Sequence, residues 1–69
     1  MSNLESWKRF ASKVLTDGLR DARHGLVEEV GEFLASDRVY LFCDIAEIDV
    51  DAYKTECRKA LSEAIREKR

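Results

Sequence analysis

Three side chains in this sequence carry groups that bind soft metals or serve as nucleophile and base: His24, Cys43 and Cys57. Structural zinc sites use four ligands, with pairs two to four residues apart. No two of these three stand that close, and a fourth soft ligand is missing. Both cysteines fall on apolar helix positions, where a free thiol behaves as a small buried hydrophobe. A disulfide between them is geometrically possible, but a reducing cytoplasm opposes it. Acyl-transfer chemistry needs a nucleophile, a base and a group that orients the base. His24 stands beside Arg23 near a helix end, with no Ser or Cys at a recognisable spacing. No glycine-rich phosphate loop is present either, and so small a core leaves little room for a shaped pocket. No enzymatic activity, cofactor or metal is expected.

That leaves surfaces. Tyr40 falls off both apolar stripes of its helix, close to Arg38, Asp44 and Glu47. Tyr and Arg are enriched among residues that dominate binding energy. Arg38, Tyr40 and Asp44 are therefore the expected protein-binding residues, with Tyr53 a weaker candidate. An ordinary solvent-facing tyrosine is the competing reading of Tyr40.

Size and composition set the frame for these residues. A chain of 69 residues makes at most one domain. Such a chain buries only about 60% of its unfolded surface, and small scaffolds of this kind usually add disulfides, a metal or a second subunit. Apolar residues make up 45% of the chain and charged residues 38%, a globular balance. There is no proline and only three glycines, which favours an all-helical chain. Twelve basic and 14 acidic side chains give a net charge of −2. Nucleic-acid binding draws on phosphate neutralisation by Lys and Arg, so nucleic acid is a disfavoured partner. The stretch "MSNLESWKRF" has no basic segment leading into an apolar run, so a secretion signal is not expected. No apolar stretch approaches the length of a membrane span.

Four helices follow from the periodicity. Ser2 and Glu5 have capping-box spacing, so the first helix starts near Asn3. Its seam, Leu4, Trp7, Ala11, Val14 and Gly18, keeps a 3-4-3-4 rhythm. Leu4, Trp7, Ala11 and Val14 are the expected interface of a homodimer. Gly25 is a stop signal. The second helix runs from Leu26 to Ala35, burying Leu26, Val27, Val30, Phe33 and Leu34 against Glu28, Glu29 and Glu32 outside. Ser36 is placed to cap the third helix, which runs to Glu47. That helix carries two apolar stripes, Val39-Phe42-Cys43-Ala46 and Leu41-Ile45-Ile48, and is expected at the centre of the bundle. Asp49 caps the fourth helix, whose seam is Val50, Tyr53, Cys57, Ala60, Leu61, Ala64 and Ile65. The fold class is all-α: a small bundle of three to four helices.

The third and fourth helices, joined by a short hinge, have the outline of a DNA-binding helix-turn-helix. That motif wants a tight turn, often with Gly, and a recognition helix offering donors. Glu47 stands where the glycine would be. The following helix presents Asp49, Asp51 and Glu56 beside Lys54, Thr55 and Arg58, and phosphate would repel the acids. Two packed helices with capping acids is the better reading.

Asp21-Ala22, Phe33-Leu34-Ala35-Ser36-Asp37 and Cys43-Asp44-Ile45-Ala46-Glu47-Ile48-Asp49 are similar, in order and spacing, to a pattern of small phage and prophage proteins. The resemblance covers Asp21 to Tyr53. Relatives of that type commonly carry Gly after the Ala46 position and Pro after the Asp49 position. Here Glu47 and Val50 stand there, which should make the hinge less sharp. The resemblance implies expression inside a host bacterium and a cytoplasmic location. In size and acid-leaning character the chain also resembles phage anti-quorum-sensing proteins. These imply a non-enzymatic inhibitor that blocks a host protein such as a quorum-sensing transcription factor or a pilus-assembly ATPase. A small helix-turn-helix regulator and an anti-CRISPR protein are the alternatives.

Overall fold

The computed structural model describes residues 3–67, with side chains from Glu5 onward. Four helices follow one another: α1 (Asn3–Arg23), α2 (Val27–Ala35), α3 (Asp37–Ala46) and α4 (Val50–Glu67). The all-helical fold expected from composition is the one observed. Ser2 of the expected capping box lies outside the described residues. No described helix is long and apolar enough to cross a membrane.

α1 is the central element, packing against α2, α3 and α4. This corrects the assignment of the centre to the third helix. α1 is the longer rod, and its buried line of Ala11, Leu15 and Ala22 lets three neighbours approach. α3 has ten residues and only Val39 and Cys43 fully covered. The core joins these to Val30 and Leu34 from α2 and to Tyr53 and Cys57 from α4. Its largest fully enclosed side chains are no bigger than valine. The bulkier hydrophobes Trp7, Phe10, Leu41 and Ile48 stay outside. Of the expected second-helix face, Leu26 and Val27 are likewise exposed rather than buried: Leu26 precedes the helix and Val27 opens its first turn.

The links are short and closed by backbone hydrogen bonds. Gly25, with φ 75°, ends α1: its N–H donates to the Ala22 carbonyl, and Leu26 N–H to that of Asp21. Glu47 ends α3 in the same way, at φ 59° and ψ 40°. Its N–H donates to the Asp44 carbonyl, and Ile48 N–H to that of Cys43 at 2.8 Å. Both are left-handed closures that satisfy otherwise orphaned carbonyls. The hinge is therefore as sharp as a glycine would make it, contrary to the expectation from Glu47. Asp49 caps α4 as expected, its Oδ1 accepting from Asp51 N–H at 3.0 Å. Ser36 does not cap α3. It is the single residue between two helices, and its hydroxyl turns back to donate to the Phe33 carbonyl at 2.8 Å.

Gly18 makes the closest packing possible. A Cβ there would stand 2.5 Å from Tyr53 Oη and 3.3 Å from the Phe33 ring. Its absence lets α2 and α4 reach α1 at the same level. Tyr53 Oη uses the space to donate to the Leu15 carbonyl at 2.5 Å.

Candidate functional site at the α3–α4 hinge

The tight closure at Glu47 folds the start of α4 back beside the end of α3. A shallow groove results, lined by Tyr40, Leu41, Cys43, Asp44, Ile48 and Val50, with a volume of about 490 Å³. Its walls stay open: Tyr40 is 51% exposed, Leu41 55% and Ile48 40%. Pockets that enclose small molecules cover most of the ligand's surface. A groove with half-exposed walls instead suits side chains presented by another polypeptide.

Tyr40 is held in place. Lys54 Nζ donates to its hydroxyl at 2.8 Å and lies 4.3 Å from the ring centroid. This bond ties α3 to α4 across the hinge. An aromatic ring fixed before binding loses little entropy when a partner arrives. Asp44 supplies a carboxylate on the same wall.

The four residues expected to bind protein separate into three places. Tyr40 and Asp44 share the hinge groove. Arg38 is exposed on another side of α3, in a shallow depression with Glu29, Glu32, Phe33 and Ser36. Tyr53 is in the core, 8% exposed, and its surface role is withdrawn. Burial pushes its phenol well above the ordinary value, and contact with Cys57 adds to this. Leu41, Ile48 and Lys54 were not singled out from sequence as part of a site. The available signal was that α3 is apolar on more sides than a ten-residue helix can bury.

The expected dimer seam also divides. Leu4 lies outside the residues with described side chains. Trp7 is 56% exposed, and Val14 is half-buried. Ala11 is fully enclosed within its own chain, so it has no surface to offer a second copy. The buried line of α1 shares Ala11 with the seam and then turns away from Val14 and Gly18 to Leu15 and Ala22.

Cys43 and Cys57 are free and buried. Burial raises both thiols above the ordinary value of 9.0, which keeps them protonated and poorly nucleophilic. His24 is exposed just after the end of α1. Among the described residues no three His, Cys, Asp or Glu side chains are grouped to hold a metal ion.

No family model, curated protein or solved structure matches this chain.

Proposed function

We propose that this protein is a non-enzymatic binder of another polypeptide, a phage-encoded inhibitor that covers a functional face of a bacterial host protein. The observation that carries the binding reading is the hinge groove, where pinned Tyr40 stands beside exposed Leu41 and Ile48. Exposed apolar clusters rimmed by polar groups mark protein contacts. The phage setting rests on the sequence pattern from Asp21 to Tyr53. The target class, a quorum-sensing transcription factor or a pilus-assembly ATPase in the host cytoplasm, rests on the chain's size and acid-leaning character alone. An anti-CRISPR role would use the same occlusion mechanism.

The test is capture from bacterial lysate with the wild-type chain and with Tyr40→Ala as baits. Tyr40→Ala keeps its helicity and loses about 1 kcal/mol or more of target binding. Equal capture by both baits removes Tyr40 from the site.

The sharp α3–α4 hinge favours one second reading, a helix-turn-helix regulator. Against it, the exposed face of α4 carries Asp51 and Glu56 alongside Thr55 and Arg58. A mobility-shift titration against salt separates the two. A duplex binder loses affinity steeply as salt rises, whereas the inhibitor retards no duplex at any salt.

A further inference from the structure

We propose that two copies of this chain pair through α1, antiparallel, each seating its Trp7–Phe10 ridge in the α1–α2 groove of the other. Trp7, Phe10, Val14, Asp17 and Asp21 follow a 3-4-3-4 spacing, so they form one line along α1. The first half of that line is a ridge. Trp7 and Phe10 are 56% and 51% exposed and meet edge to face at 6.1 Å. Phe10 is braced from behind by Phe42 at 5.8 Å. The second half is a hollow of about 240 Å³ between α1 and α2. Val14, Gly18, Val30 and Phe33 make its apolar floor, and Asp17, Asp21 and Glu29 its rim.

Ridge and hollow lie on the same helix, at matched distances from Val14. A two-fold axis through Val14 places Phe10 of one copy opposite Gly18 of the other. It likewise places Trp7 opposite Asp21, so that the indole N–H has a carboxylate to donate to. Charge agrees with this direction. The ridge half of α1 carries Lys8, Arg9 and Lys13 against Glu5, while the hollow half balances Arg20 and Arg23 against Asp17 and Asp21, and α2 beside it adds Glu28, Glu29 and Glu32, with Glu29 on the rim. Antiparallel pairing brings the unlike halves together, and a parallel pair would stack like on like. Such an isologous contact satisfies both copies at once.

The face is small for a specific pair. A helix of 21 residues is about 31 Å long. Across the full 18 Å width of the bundle this gives at most roughly 550 Å² in projection, at the low end for specific interfaces. The exposed halves of the two rings supply on the order of 200 Å² of that. This face shares no residue with the hinge groove, so a monomeric chain would leave the proposed function standing.

Trp7 is the sole tryptophan, so its fluorescence reports this face alone. Sedimentation and emission are followed together from tens of micromolar to tens of nanomolar. The expected result is a dimer whose dissociation shifts Trp7 emission to longer wavelength with the same midpoint. Phe10→Asp gives a monomer, and Asp21→Lys, a change at the half-buried rim of the hollow, weakens pairing at least tenfold with helicity unchanged. The proposal is overturned by a wild-type chain that is monomeric throughout, even if an added protein then covers Trp7. A dimer that survives Asp21→Lys unweakened, or one whose dissociation leaves Trp7 emission unmoved, overturns it as well.

Discussion

Glu47 is a residue in a glycine's position. Left-handed backbone costs a non-glycine residue roughly 1–2 kcal/mol. Its return is an ion pair with Lys8 at 3.2 Å, between side chains 39% and 74% exposed. Exposed pairs of this kind contribute about 0–1 kcal/mol. Glu47→Gly should therefore stabilise the fold, by about 0.5–1 kcal/mol. Urea denaturation checks this, and a lower midpoint would contradict it. Gly18 is the opposite case. Ala would gain about 1 kcal/mol of helix propensity, but its methyl meets the phenol oxygen that is bonded to Leu15. Overpacking costs typically 1–3 kcal/mol, so Gly18→Ala is expected to destabilise. Removing the oxygen with Tyr53→Phe should erase most of that loss, which a double-mutant cycle reads directly. The helical rhythm puts Gly18 on the seam of the first helix. That the approaching group is Tyr53, at a separation of 35 residues, is a tertiary fact that no local pattern carries. The same fact settles the two readings of Tyr53 in favour of the helix seam, and against a binding role.

At the scale of elements, the helices were legible and their faces only partly so. Gly25 and Asp49 act through local backbone chemistry, and both do what their types and positions say. Ser36 does not, because only one residue separates α2 from α3 and the carbonyls of α2 compete for its hydroxyl. The two sites give a paired test. Asp49→Ala should cost about 1 kcal/mol, the usual cost of losing a cap. Ser36→Ala should cost distinctly less, since no cap bond to α3 is lost. Thermal melts of the two variants decide it; equal losses would mean that Ser36 caps α3 in solution. The apolar faces were harder to read because α1 and α3 each carry more hydrophobic residues than one contact surface can cover. Periodicity places such residues on a helix, but which stripe turns inward depends on the neighbours. For α1 the inward stripe meets the 3-4-3-4 seam that begins at Leu4 only at Ala11, and continues through Leu15 and Ala22. For α3 the second stripe, Leu41 to Ile48, stays largely in solvent and makes the candidate site.

For the whole molecule, the core covers Leu15, Leu34 and Tyr53 but leaves Trp7 and Phe10 half-exposed. A chain this small buries a smaller share of its surface than a larger domain does. The exposed rings and aliphatic side chains then fall into two separate faces, one across the hinge and one along α1. The two buried thiols belong to neither face's exposed surface. The central claim is that the hinge groove grips another polypeptide. It is tested most directly by the affinity of the purified captured target for two surface variants, Ile48→Asp in the groove and Ile65→Asp near the far end of α4. The two isoleucines are similarly exposed, at 40% and 45%. A charge placed in the groove should weaken binding at least about tenfold, or ~1.4 kcal/mol, while Ile65→Asp leaves it unchanged. Equal affinity of both variants and the wild type would contradict the claim.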